Sequence, residues 1–101
     1  ILSNLSPDPF RNYHASKAFM GIKGITESTL TNQNPLLIQA ERAMIDHAQE
    51  LIILADESKF NAVGSLTLCP VDKASKIITT TEAEADLVSV LREKGIEVVQ
   101  V

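Results

Sequence analysis

Asp56-Glu57-Ser58-Lys59 places carboxylates, a hydroxyl and an ammonium directly after the apolar run Leu51-Ile52-Ile53-Leu54-Ala55. A run that is apolar at every position reads as a strand buried on both faces, as in a parallel sheet covered by helices. Ligands of open α/β sheets bind beyond the carboxyl ends of such strands. Lys59 would there offer a point charge to an anion, with Asp56 serving as a general base or as the residue that orients the loop. A second polar strand end, Thr79-Thr80-Thr81, follows Ser75-Lys76-Ile77-Ile78-Thr79. It coincides with a helix start, where hydroxyls and free N–H groups suit an anion. Spacing alone leaves the plainer alternative open, a solvated lysine and threonines that cap a helix. Gly21-Ile22-Lys23-Gly24 lets a ligand approach the backbone because glycine has no Cβ, or it simply turns the chain after a strand. It lacks the additional glycines of a phosphate-loop or dinucleotide fingerprint.

The remaining chemistry-bearing residues are isolated. His14 and His47 have no second histidine at metal-ligand spacing and read as solvated or locally hydrogen-bonded. Cys69 precedes Pro70, has no histidine placed to activate it, and reads as a small buried hydrophobe. The sequence has no metal cluster, nucleophile elbow or basic patch interleaved with aromatics. No catalytic residue, metal or cofactor is expected.

The elements that would position these residues follow from periodicity. Residues 1–15, with Pro7, Asp8, Pro9 and Asn12, form an irregular lead-in. Lys17 to Ile22 is a short buried strand, and 26–34 is a polar connection without a core signal. A helix over 35–49 opens with Asn34 as its cap and Pro35 in the first turn. Its apolar stripe is Leu37, Ala40, Met44, Ala48 and Leu51, with Arg42 and Asp46 four apart on another side. Strands are expected over 51–55, 65–69 and 75–79. A second helix begins with a capping box at Thr81-x-x-Glu84 and carries Ala83, Leu87, Val90 and Leu91 on its apolar side. Arg92 and Lys94 fall in its last turn and Gly95 at the position after its end. Ile96 to Val101 closes as a β-branched strand. Strand, helix, strand makes a βαβ unit, so the fold class is α/β with a largely parallel sheet flanked by helices.

Composition narrows the function classes. The chain has 101 residues, 45% hydrophobic and 22% charged, enough for one small core. Its net charge of −4 argues against a direct grip on nucleic acid, which needs clustered positive charge. No apolar run approaches the roughly 18 residues that span a bilayer, so no membrane partner is expected. One cysteine excludes an internal disulfide and favours a reducing, cytoplasmic setting.

A family resemblance covers residues 16–101. Glu41-Arg42-Ala43-Met44-Ile45-Asp46-His47-Ala48, followed by Ile52 to Phe60 with its Asp56-x-Ser58-Lys59-Phe60 signature, resembles the sensor domain of DeoR-type repressors. Lys17 to Ile25, Lys76 to Thr80 and Gly95 to Val99 are similar to further segments of that domain, in the same order. Ser16 and Thr80 stand where the family commonly has aspartate. The resemblance implies a fold akin to ribose-5-phosphate isomerase and the CoA-transferase-like group. It also implies a non-enzymatic module that senses a phosphorylated sugar or sugar alcohol to control a carbohydrate-utilisation operon. By the same resemblance, Lys59 meets the ligand's phosphate or a hydroxyl, Asp56 and Ser58 shape the site, and Gly21 and Gly24 let the backbone come close; Thr79 joins these candidates as the polar end of the second strand. Residues 16–101 would then be the C-terminal part of the effector domain. Operator DNA would be bound through an N-terminal helix-turn-helix outside this chain, and self-association into a homo-oligomer would follow from incomplete coverage. The alternatives are a sugar-phosphate isomerase-like enzyme fragment, which needs a paired acid and base, and a structural or oligomerisation fragment.

Overall fold

A computed structural model describes residues 15–101, so residues 1–14 of the expected lead-in, with His14, lie outside the described residues, while Ala15 belongs to the first strand and not to the lead-in. Among the described residues seven strands and two helices follow in the order β1 (Ala15–Gly21), β2 (Gly24–Ile25), β3 (Thr29–Asn32), α1 (Ile38–His47), β4 (Ala48–Leu54), β5 (Leu66–Pro70), β6 (Lys76–Thr79), α2 (Ala85–Glu93) and β7 (Glu97–Gln100). Single 3-10 turns at Glu57–Lys59 and Val71–Lys73 bracket β5.

The four strands β1-β4-β6-β7 form one sheet in that order, and every neighbouring pair is parallel. The register aligns Gly21 with Leu54, Leu54 with Ile78, and Ile78 with Val99, so the carboxyl ends of all four strands share one edge. As its unbroken apolar run requires, β4 is buried at Leu51, Ile52 and Ile53. The other three strands form an antiparallel sheet, β2-β3-β5, with an irregular register between Leu30 and Thr31. The fold is therefore mixed α/β, and the expectation of a largely parallel arrangement holds for one of two sheets. The core runs between them: Ile25 and Leu30 of the antiparallel sheet, Ile53 and Ile77 of the parallel sheet, and Leu91 of α2 are all fully buried.

Three expectations change. Residues 26–34 are not a coreless connection, because β3 passes through them and buries Leu30, Thr31 and Asn32. Its buried polar groups are satisfied: the Thr31 hydroxyl accepts from Gly64 N–H at 2.7 Å, and Asn32 Nδ2 donates to Glu41 Oε1 at 3.1 Å. The first helix begins three residues late. Asn34 Oδ1 accepts from Leu36 N–H at 2.9 Å to hold a preceding turn, and Leu37 caps α1 without a side-chain bond. Its buried residues are Ile38 and Ile45, one position round from the expected Leu37 and Met44, and Leu37 is 51% exposed. Arg42 reaches across to the Thr67 and Leu68 carbonyls of β5 and so ties α1 to the antiparallel sheet. Finally, α2 has no capping box at Thr81. Glu84 is itself the cap, accepting from Asp86 and Leu87 N–H groups at 2.9 and 3.0 Å. Gly95 follows the last turn at φ +90°, the left-handed conformation glycine is suited to.

Candidate functional site

A cleft of about 770 Å³ opens at the carboxyl edge of β1 and β4. Gly21 and Leu54, the paired last residues of those strands, line it, as do Ile22 and Lys23 after β1 and Ala55, Asp56 and Lys59 after β4. The antiparallel sheet adds Asn32, the end of β3. The turn into α1 adds Gln33, Asn34, Pro35 and Leu37, and the first turn of the helix adds Glu41. The position agrees with the rule that a parallel sheet presents its ligand sites beyond the strand carboxyl ends.

The Asp56–Lys59 turn is organised by its own side chains. The Asp56 carboxylate accepts from the backbone N–H of Ser58 at 2.9 Å and from the Ser58 hydroxyl. These two bonds hold the Asp56 carboxyl below its ordinary value of 3.8, the hydroxyl's contribution being the larger. Of the two roles open to Asp56 in the sequence, orienting the loop is the one this geometry serves, because an acid so stabilised as its anion is a poor general base at neutral pH. Lys59 is half-buried, and its Nζ donates to the Ser58 hydroxyl at 3.4 Å, so the chain Asp56–Ser58–Lys59 sets the ammonium at the cleft.

The sequence-derived candidates divide accordingly. Gly21, Asp56 and Lys59 line the same cleft. Ser58 stands behind them as the bridge between the two charged groups. Gly24 is drawn into the antiparallel sheet, where a methyl group in place of its hydrogen would lie 2.1 Å from the Ala62 carbonyl oxygen. The close backbone approach there is to the chain itself. Thr79 is buried on β6 and outside the cleft lining, and its hydroxyl meets no hydrogen-bond partner among the described residues. Its neighbour Thr80 donates to Glu57 Oε1 at 2.8 Å and accepts from Gln100 Nε2 through its carbonyl at 3.1 Å, so the second strand end is tied down by the fold. Sequence reasoning missed Asn32, Glu41 and, as a cleft residue, Lys23. The first two belong to different elements and meet only through the β3–α1 packing. Among the described residues no group of three or more potential metal ligands occurs, and no helix is long and apolar enough to cross a membrane.

The family model of the DeoR C-terminal sensor domain matches residues 1–81. The chain belongs to that family. As a DeoR sensor domain it falls among regulator modules, not enzymes. It is similar to the HTH-type transcriptional regulator IolR of Bacillus subtilis (strain 168), 35% identical over 75 residues, covering 73% of this chain and 30% of IolR. The HTH-type transcriptional repressor GlcR of the same organism is 28% identical over 86 residues, covering 85% of this chain and 33% of GlcR. The HTH-type transcriptional regulator UlaR of Escherichia coli O1:K1 is 26% identical over 99 residues, covering 96% of this chain and 39% of UlaR. This DeoR sensor chain thus spans about a third of the length of the regulators it matches.

Proposed function

We propose that the cleft beyond β1 and β4 binds a phosphorylated sugar or sugar alcohol, and that its occupancy controls a DeoR-type repressor of carbohydrate utilisation. The observation that carries this reading is the composition of the cleft: two lysines, Lys23 and Lys59, share it with Asn32, Gln33, Asn34 and Glu41. Ammonium groups suit a phosphate, and carboxamides with a carboxylate suit several hydroxyls. Gly21 leaves the strand edge open, Asp56 and Ser58 set Lys59, and Gly24 and Thr79 act by shaping the framework from outside the lining. The ribose-5-phosphate isomerase-like fold belongs to the same proposal, supported by the parallel sheet and a cleft at its carboxyl edge.

The rest of the reading concerns the longer protein. Operator DNA would be held by a helix-turn-helix, as the HTH-type names of the relatives suggest, within the cytoplasm. A homo-oligomer is supported by apolar side chains left at the surface. Phe19 is 58% exposed on one face of the parallel sheet, and Leu36 is 88% exposed before α1.

A thermal-shift panel of sugar phosphates tests the proposal. A ligand at 100 times its Kd adds about 2.7 kcal/mol of stability, and each kcal/mol raises the melting temperature of a domain this size by roughly 4–8 °C. Lys59→Ala should weaken binding about ten- to hundredfold, the worth of a hydrogen bond to a charged group, with folding stability changed by no more than about 0.5 kcal/mol. No shift with any phosphorylated sugar, or unaltered affinity in the Lys59 variant, would overturn it.

A further inference from the structure

Glu41 is the one carboxylate in the cleft that the loop chemistry does not explain. Asp56 is occupied by Ser58, whereas Glu41 projects from the first turn of α1, and its hydrogen-bonding partner is Asn32. Among the described residues Glu41 makes no ion pair with Lys23 or Lys59, although all three line one cleft. The cleft therefore holds separate cationic and anionic groups, and a bound molecule has to match both.

The placement of Glu41 is fixed from both sides. Asn32 is 8% exposed, and its backbone is paired with Leu66 of β5. The neighbouring Thr31 hydroxyl, bonded to Gly64 N–H at 2.7 Å, clamps the end of β3. On the helix side, Ile38 and Ile45 anchor α1 in the core and Arg42 bonds the β5 carbonyls. Groups held this way need little reordering on binding, so their preferences are expressed in affinity. A carboxylate is an acceptor only, with room for about four hydrogen bonds, of which Asn32 supplies one.

We propose that Glu41, positioned by Asn32, is the specificity determinant that selects a hydroxyl-bearing effector and excludes a sugar-acid phosphate. This inference rests on the reading of the cleft as a sugar-phosphate site. Hydroxyl donors satisfy the open lone pairs of Glu41, while a ligand carboxylate at the same place meets a like charge, which disfavours it strongly.

Two compounds separate these cases, because glucitol 6-phosphate and 6-phosphogluconate share a six-carbon chain and phosphate and differ at the far carbon, CH2OH against COO−. Titration calorimetry on the chain with both compounds and with inorganic phosphate reads the three affinities. Wild type should prefer glucitol 6-phosphate by about tenfold or more, in line with the cost of like charges at close range. Glu41→Gln keeps an oxygen to accept from Asn32 and removes the charge. It should narrow the preference by about tenfold, mainly by tightening 6-phosphogluconate, and leave inorganic phosphate within about twofold. Glu41→Asp, which restores the charge, should restore the preference. If both sugar phosphates bind and Glu41→Gln leaves their ratio unchanged, Glu41 is not the determinant, though the cleft remains a sugar-phosphate site. If no member of the sugar-phosphate panel binds, these two included, the sugar-phosphate reading fails and this inference with it.

Discussion

Replacing Gly24 with alanine is expected to damage the fold, while the same change at Gly21 should damage only the cleft. A methyl group on Gly24 would stand 2.1 Å from the Ala62 carbonyl oxygen, 2.7 Å from its carbon and 2.6 Å from the Thr31 hydroxyl oxygen. Favourable carbon contacts begin near 3.5 Å, so backbone on one side must retreat by about 1 Å or more. The hydroxyl it displaces bonds Gly64 N–H at 2.7 Å and the Gly24 carbonyl at 3.4 Å, and those bonds close the end of β3. Overpacking costs roughly 1–3 kcal/mol and an orphaned buried donor about as much again. Taking about 3 kcal/mol in all, the melting temperature should fall by roughly 12–24 °C. At Gly21 the nearest atom to a new methyl is the Leu54 carbonyl oxygen at 3.9 Å, an ordinary contact. Gly21→Ala should therefore melt within a few degrees of the parent, yet intrude on the effector, where one extra methylene costs roughly 10–200-fold in fit. Circular dichroism melts of both variants, followed by ligand titration of Gly21→Ala, check the pair. A Gly24→Ala protein melting within about 2 °C of the parent would show that the Ala62 segment yields freely and refute the reasoning.

Glu84→Ala removes the acceptor for two N–H groups at the start of α2 and should lower the denaturant midpoint of unfolding, with Glu84→Asp losing less. Acid should weaken the fold in a defined window. The Asp56 and Glu84 carboxyls sit below their ordinary values of 3.8 and 4.5, so each favours the folded chain above its ordinary value and ceases to do so as pH falls through its lowered one. Stability should thus be level from neutrality to about pH 5 and decline below about pH 4.5, with a shallower acid limb in Asp56→Asn. Burial pushes the Cys69 thiol up to about 11 from 9.0. Its alkylation at pH 8 should accordingly run at least about tenfold slower than that of a free thiol in the unfolded chain, and equal rates would contradict its burial.

Much of the parallel sheet was legible because its signals are local and one-dimensional. The apolar run from Leu51 marks a strand, which the fold buries at Leu51, Ile52 and Ile53 and leaves half open at Leu54, and Gly95 after a helical stretch marks a terminus by its backbone preference alone. The antiparallel sheet was not legible, for a physical reason. β3 buries a threonine and an asparagine whose burial is made tolerable by Gly64 N–H and Glu41, partners 33 and nine residues away. Hydropathy scores such residues as surface, and no window contains the bonds that reverse the score. The helix stripe was misplaced by one position because Leu37/Met44 and Ile38/Ile45 have the same seven-residue spacing. Only the neighbouring elements decide which pair turns inward. The same limit applied at the cleft. Asp56 to Lys59 could be read as a contiguous strand end, whereas Asn32 and Glu41 form one group only after β3 and α1 have packed.

The cleft draws its lining from both sheets and from the helix between them, and this gives the site a mechanical meaning. Gly21, Leu54 and Lys59 move with the parallel sheet, Asn32 with the antiparallel one, and Glu41 with α1. A molecule held by all of them would bridge the two sheets and the helix, tying together elements that stand far apart in the sequence. Occupancy would then stabilise both sheets in their joined arrangement, since a ligand that binds only the folded chain adds its binding free energy to the whole body.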